Sequence, residues 1–130
     1  MCVPAADVDL YGFTVAALEA SVLRLARDQF SRGYCVLISR EHGPEPHSIP
    51  EPALYWRDVT RACAAIEAAC RSDKMNYLTL GNAVPHLHTH LIPRYYGDPA
   101  PGAPWLPGPD PVELADAEYR ELTESIRLRL

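Results

Sequence analysis

Three histidines stand at every second position near the middle of the chain. They are His86, His88 and His90, three of the five histidines among 130 residues. Alternate side chains of an extended strand project from the same face, so the three imidazoles would crowd one patch. A neutral imidazole is a good nucleophile near pH 7, and its neighbours can position it, donate protons or stabilise negative charge developing on a phosphate. The spacing therefore suits nucleophilic chemistry.

Three uses compete for this cluster. A structural role is disfavoured, because the intervening leucines and Thr89 place the histidines off the apolar face. A metal site is the second use, since imidazoles at alternate positions can share a zinc ion, but the sequence has no obvious acidic or cysteine partner nearby. Chemistry at a phosphate is the third.

Short extended segments surround the histidines. Residues 86–92 predict a strand, residues 76–80 predict another, and Gly81-Asn82 between them is a turn signal. The two strands should therefore pair antiparallel. Residues 34–39 are apolar and rich in β-branched side chains, which predicts a buried strand entered from a turn.

Helical spacing occurs in three places. Apolar residues between 53 and 71 recur at steps of three and four, which is typical of an amphipathic helix. Residues 111–130 predict a terminal helix, with Asp110 as its N-cap before Pro111. Residues 13–26 also have helical spacing, and no turn residue divides them.

The composition indicates one soluble domain. Hydrophobic residues make up 48% and charged residues 22%, and a net charge of −5 argues against binding long nucleic acids. No apolar run of membrane-spanning length occurs, and residues 1–9 lack an export signal, so we expect a cytoplasmic protein. Seven of the 13 prolines lie between residues 93 and 111, which predicts an extended tail anchored by Trp105. The cysteines are expected to be reduced thiols: Cys2, Cys35, Cys63 and Cys70.

The histidine segment resembles a known family signature. Residues 85–93 read Pro-His-Leu-His-Thr-His-Leu-Ile-Pro, which looks like the histidine-triad (HIT) motif, with Thr89 at a position that is usually apolar or aromatic. The wider match is similar to the bacterial branch often labelled diadenosine tetraphosphate hydrolase-like. The resemblance covers roughly residues 10–108. Its flanking parts are residues 32–42, 76–82 and 93–99.

The resemblance implies a role for each histidine of the triad. His88 matches the nucleophile, which attacks the α-phosphorus and holds the nucleotide as a covalent phosphoramidate until water or another acceptor releases it. His90 matches the histidine that contacts phosphate oxygens and helps the leaving group to depart. His86 matches the one that buttresses the nucleophile.

Four further residues enter the predicted substrate site through the same resemblance. Tyr34 stands where a fourth histidine is frequent, and it is either a hydrogen-bond partner of His86 or a core aromatic. Asn82 matches a position that binds phosphate or ribose, with a turn asparagine as the alternative. Gln29 lies in a turn near the nucleotide, and Arg94 could neutralise a phosphate or be an ordinary exposed arginine. His42 and His47 are expected to be surface residues outside the site.

The resemblance implies a fold and an assembly. The fold is α+β, an antiparallel sheet of about five strands with a long packed helix and a C-terminal helix at about 111–129. Residues 1–130 then form a single HIT domain. Residues 13–26 become paired strands, against their helical spacing, because tertiary pairing commonly overrides local periodicity. Family members usually form dimers whose sheets join, so a homodimer is expected.

The implied function is hydrolysis or transfer of a nucleotidyl group. The substrate is a small nucleotide, with adenine as the expected base, carrying a phosphoanhydride or phosphoramidate at its α-phosphate. The covalent step needs no metal or other cofactor. Two alternatives stay open: a nucleotide-binding protein without catalysis, suggested by Tyr34 and Thr89, and a zinc-binding protein that uses the same histidines.

Overall fold

One antiparallel sheet and two α-helices make up the fold, in a computed structural model that describes residues 6–130. The strands are β1 (Gly12–Ala17), β2 (Ser21–Ala26), β3 (Cys35–Ser39), β4 (Lys74–Leu78) and β5 (His88–Arg94), and the helices are α1 (Pro52–Cys70) and α2 (Asp116–Arg127). The strand order is β1-β2-β3-β5-β4, so β5 is interior and β4 lies at an edge. The predicted α+β architecture is confirmed.

The first hairpin shows why helical spacing misled at residues 13–26. Phe13 pairs with Leu25, and the segment forms β1 and β2 instead of a helix. The turn between them is held from a distance, since the Asp58 carboxylate on α1 accepts hydrogen bonds from the Ala20 N–H at 2.8 Å and the Ser21 hydroxyl at 2.6 Å. A contact between residues distant in sequence therefore stabilises a turn that no residue type within the segment predicts.

Helix α1 covers one face of the sheet. Its buried side chains, including Tyr55 and Ile66, join a core with Leu37 of β3 and Leu91 of β5. The predicted helix at 53–71 is confirmed, and it ends at Arg71, whose left-handed backbone donates an N–H to the Glu67 carbonyl at 2.8 Å.

Three cysteines lie in or beside this core. Cys35, Cys63 and Cys70 are free thiols, and burial raises the pKa of Cys63 to about 12 and that of Cys35 well above its usual value. They are therefore protonated near neutral pH. Cys2 lies outside the described residues.

The C-terminal helix starts later than its sequence predicts. Residues 111–115 are extended, because Val112 accepts a hydrogen bond from the Gln29 N–H at 2.8 Å and donates its own N–H to Asp28 at 2.9 Å. Asp110 is therefore not the N-cap; Ala115 holds that position. The proline-rich tail lacks helices and strands between β5 and α2, and half-buried Trp105 meets Phe30 edge to face at 5.1 Å.

The two faces of the sheet differ in their cover. Thr89 and Leu91 of β5 point toward α1, so His88, His90 and Ile92 lie on the opposite face. A small second cluster lies on that face, formed by Ala26, Tyr34, Ile92, Phe30, Val36 and Leu78. Neither helix within residues 6–130 has the length and apolar character needed to cross a membrane.

Candidate active site

The site forms where β5 begins, in the interior of the sheet. His88 pairs with Ile38 of β3, and His90 pairs with β3 on one side and β4 on the other. The two rings meet edge to face, with centroids 5.1 Å apart. Strand pairing fixes the backbone of His90 on both sides and that of His88 on the β3 side, so the two imidazoles hold a defined geometry.

His86 precedes the strand, which corrects the predicted strand start at residue 86. Beside His86, a hydrogen bond to a loop replaces strand pairing: the Leu87 N–H donates to the Gly43 carbonyl at 2.8 Å. The His86 ring is buried, its Nε2–H donates to the Ser39 carbonyl at 2.7 Å, and its edge meets His42 at 5.9 Å. The prediction of three rings on one strand face therefore reduces to two, His88 and His90.

The backbone carbonyl of His86 fixes the protonation of His88. His88 Nδ1 lies 2.7 Å from this oxygen, and a carbonyl can only accept, so Nδ1 carries the proton. The lone pair is then on Nε2, which has no hydrogen-bond partner among the described residues. Half-buried His88 thus presents a nucleophilic nitrogen.

His90 is paired with Tyr34. The Tyr34 hydroxyl lies 2.7 Å from His90 Nδ1, and the two rings stack with centroids 6.0 Å apart. Tyr34 is therefore both a core aromatic and a hydrogen-bond partner, but its partner is His90 and not the predicted His86. Burial, with a smaller contribution from His88, lowers the pKa of His90, so its ring is neutral near pH 7.

A buried hydroxyl network supports the strand from behind. Fully buried Thr89 lies between the two site histidines in sequence and points to the other face, where its hydroxyl is 2.6 Å from the Tyr55 hydroxyl and 2.8 Å from that of Thr79. Tyr55 also donates to the Leu37 carbonyl at 3.3 Å. The motif's departure at residue 89 thus joins β5 to α1, a role that sequence reasoning missed. The one indication of this role in the sequence was a polar residue at a motif position that is usually apolar or aromatic.

The comparison with known proteins decides the family. The model of the HIT domain matches residues 9–97, more than half of the chain. The chain belongs to the HIT domain family. HIT domains typically bind nucleotides. No curated protein sequence matches the chain significantly.

Solved structures share the HIT fold. A histidine triad protein from Sinorhizobium meliloti is 25% identical, with a TM-score of 0.81 over 92% of this chain and 90% of that one. One from Bradyrhizobium japonicum is 24% identical, with the same TM-score and coverage. A hypothetical histidine triad nucleotide-binding protein from Sulfolobus tokodaii is 25% identical, with a TM-score of 0.71 over 92% and 84% of the two chains.

Two predicted site residues of this HIT domain use their polar groups within the protein. The buried Gln29 amide donates to the Ala26 and Tyr34 carbonyls and accepts from the Gly33 N–H. Arg94 uses all five N–H groups, on the Asp98 carboxylate, the Asn76 side chain and the carbonyls of residues 100 and 103. Neither side chain keeps a donor for a phosphate.

Asn82 and the remaining histidines lie in loops. Asn82 is exposed between β4 and β5, and its side chain forms no hydrogen bond within residues 6–130. His47 is exposed on a short 3-10 turn, whereas His42, which the sequence left outside the site, contacts His86. In the described part of the chain, no three His, Cys, Asp or Glu side chains are grouped to hold a metal ion.

Proposed function

We propose that this HIT protein hydrolyses or transfers a nucleotidyl group through a covalent intermediate on His88. The observation that carries the proposal is the 2.7 Å hydrogen bond from His88 Nδ1 to the His86 carbonyl, which leaves the Nε2 lone pair without a partner among the described residues, beside His90. The roles of His86, His88 and His90 then follow the family resemblance, with His86 acting through its carbonyl. The bond also supports the positive charge that the imidazole acquires when it attacks.

The reaction proceeds in two displacements at the α-phosphorus. His88 Nε2 forms a bond to phosphorus while the bond to the leaving oxygen or nitrogen breaks, and the leaving group departs with the electron pair of that bond and takes up a proton from solvent where it needs one. His90 hydrogen-bonds the phosphate oxygens during this step. Water, or another acceptor, then attacks the phosphorus and releases its proton to solvent, while the N–P bond breaks and its electron pair returns to His88, which is again neutral.

The proposed substrates are small nucleotides with a phosphoanhydride or phosphoramidate at the α-phosphate. Dinucleoside polyphosphates follow from the resemblance to the diadenosine tetraphosphate hydrolase-like branch, and adenine is the proposed base. The nucleotide-binding description of the Sulfolobus tokodaii relative supports the ligand class. Exposed Asn82 is the proposed phosphate or ribose contact. We propose that the protein meets these substrates in the cytoplasm. The covalent step is proposed to need no cofactor.

A homodimer is part of the same proposal. Edge strand β4 and helix α1 expose Tyr77 and Trp56, which are 53% and 40% accessible, beside a cavity of about 450 Å³. An open edge with aromatic side chains is a surface that a second copy can cover. Light scattering should give a dimer for the wild type and a monomer for Tyr77→Lys, and a monomeric wild type would contradict this assembly.

Turnover by His88→Ala tests the proposed function. The variant should lose AMP release from diadenosine tetraphosphate or adenosine phosphoramidate by on the order of 10³-fold or more, because the nucleophile is gone. His47→Ala, at an exposed position outside the site, is the matched control and should keep full activity. A fully active His88→Ala variant would overturn the mechanism, and AMP binding by a wild type without turnover would favour a binding protein. Activity that a chelator removes would favour the zinc alternative.

A further inference from the structure

The Tyr34 hydroxyl forms one hydrogen bond among the described residues, with His90. Its side chain is 5% exposed, its hydroxyl lies 2.7 Å from His90 Nδ1, and that hydroxyl has no second hydrogen-bond partner in the described residues. The ring is braced by Phe30, whose centroid is 5.0 Å away. The buried hydroxyl therefore has one acceptor among the described residues, the imidazole of His90 in the candidate active site.

The direction of this hydrogen bond follows from the burial of the hydroxyl. Burial raises the pKa of Tyr34 well above its usual value of 10, so the phenol keeps its proton. If His90 Nδ1 donated to the phenol oxygen, the phenol proton would be buried without an acceptor, which costs free energy. If Tyr34 donates to Nδ1, both groups are satisfied. His90 then carries its own proton on Nε2.

We propose that Tyr34 is a positioning residue that holds His90 as the Nε2–H tautomer, opposite to the Nδ1–H tautomer of His88. Two adjacent rings then face the substrate with unlike groups: a lone pair on His88 Nε2 and an N–H donor on His90 Nε2. The inference rests on the proposed function for its catalytic meaning. It goes beyond that function by assigning the hydrogen-bonding role of His90 to a specific side chain.

Unlike tautomers suit a phosphate. The phosphorus accepts an electron pair from His88, while the oxygens on the same phosphate are hydrogen-bond acceptors and need a donor. A second lone pair on His90 Nε2 would instead repel those oxygens. Tyr34 thereby selects the form of His90 that can stabilise negative charge as the bond to the leaving group breaks.

Gln29 acquires a role in this arrangement. Its amide accepts the Gly33 N–H at 2.8 Å and donates to the Tyr34 carbonyl at 3.0 Å, so it holds the backbone from which the Tyr34 ring projects. Gly33 adopts φ 93° in the same turn, and a Cβ there would lie 2.6 Å from the Cys70 sulfur. The turn therefore fixes Tyr34 against His90 without presenting Gln29 to the substrate.

The test is the tautomer of His90 in Tyr34→Phe, read by long-range proton–nitrogen NMR of ¹⁵N-histidine-labelled protein above pH 7.5. The wild type should show an unprotonated Nδ1 and a protonated Nε2 for His90. Tyr34→Phe keeps the ring and should move His90 toward the Nδ1–H form. Tyr119→Phe is the matched control, because it also removes a buried phenol hydrogen bond, at 2.6 Å to the Arg27 carbonyl, far from the histidines in sequence.

Kinetics give the second readout. In Tyr34→Phe, kcat should fall about tenfold with little change in KM, which corresponds to about 1.4 kcal/mol lost in the transition state. Tyr119→Phe should leave kcat unchanged. A wild-type His90 protonated on Nδ1, or an unaltered tautomer in Tyr34→Phe, would overturn the inference. The wild-type spectrum tests the assigned His90 tautomer even if Tyr34→Phe fails to fold. The NMR measurement needs no turnover, so its result is independent of whether the proposed enzymatic function is correct.

Discussion

The two ends of β5 carry similar side chains and use them in opposite ways. His88 and His90 at the start share one face with Arg94 at the end, and His90 and Arg94 are separated by roughly 13 Å along the strand. At the Arg94 end, all five donors are taken by protein acceptors. At the histidine end, Nδ1 of each ring forms a hydrogen bond within the protein, and Nε2 has no partner among the described residues.

A polar residue is available for function only where the protein leaves some of its hydrogen-bonding groups unused. Residue type would favour Arg94 as a phosphate ligand, since a guanidinium matches phosphate geometry. Its hydrogen bonds instead tie β5 to Asp98 and to the carbonyl of Ala100, and so hold the start of the proline-rich tail. Unused hydrogen-bonding capacity, and not charge, distinguishes the histidine end as the candidate site.

The largest expected effect is on activity at the histidine end. His90→Ala should lower kcat by about 10²-fold or more, because the substrate loses a positioned N–H group. The thermal midpoint should also fall by a few degrees, because the buried Tyr34 hydroxyl loses its acceptor. Steady-state kinetics with thermal unfolding checks both expectations. Near-wild-type kcat in a folded His90→Ala protein would remove His90 from the mechanism.

Activity is expected to be retained when the other end of the strand is changed. Arg94→Met should lower the thermal midpoint by several degrees, because the carboxylate of Asp98 and two backbone carbonyls lose their donors. Activity below the new midpoint should stay within about threefold of wild type, since no N–H of Arg94 is left for substrate. A loss comparable to that of His90→Ala, in folded protein, would place Arg94 in the substrate site and break the contrast.

A smaller effect is expected from the hydroxyl network behind the histidines. Thr89→Val keeps the shape of the side chain but leaves the Tyr55 hydroxyl with only its 3.3 Å bond to Leu37. Denaturant unfolding should show a loss of about 1–2 kcal/mol. Thr123→Val is the matched control, because the buried Thr123 hydroxyl has no hydrogen-bond partner among the described residues. Equal effects of the two substitutions would mean that the network contributes nothing.

The smallest effect is the pH dependence of the Arg94–Asp98 pair. The hydrogen bond from Arg94 lowers the pKa of Asp98 below its ordinary value of 3.8. A lowered carboxyl pKa adds stability that is fully present above the ordinary value and is lost as pH falls through the folded value. Asp98→Asn should therefore unfold at a lower temperature than wild type at pH 6, and this difference should shrink below pH 3.8. A difference independent of pH would contradict the charged pair.

Local pattern was sufficient for part of the molecule. The periodicity of apolar residues 53–71 predicted α1. The alternating histidines around His88 predicted a strand, and the motif that they form indicated the HIT family. These features depend on neighbours close in sequence, so they can be read there. The first hairpin needed the resemblance, because its turn is anchored by Asp58, some 37 residues away.

The details of the site were not readable in the same way. Tyr34 meets His90 across 56 positions, and its predicted partner, His86, is taken by the Ser39 carbonyl. Gln29 and Arg94 have residue types suited to a ligand, yet folding satisfies both with backbone carbonyls. Near partners, as for Gln29, and distant ones, as for Tyr34, both decide which polar groups stay available, and residue type and spacing alone do not predict these partners.

Intact-protein mass spectrometry can detect the covalent intermediate on His88 itself. Wild type and His88→Ala would each be mixed with adenosine phosphoramidate and, separately, with diadenosine tetraphosphate, and quenched without acid within one turnover. Covalent catalysis by His88 predicts one adenylyl-sized mass gain on wild type, mapped by peptide sequencing to His88, and none on His88→Ala. AMP release without any adduct on wild type, or an adduct that persists on His88→Ala, would contradict it.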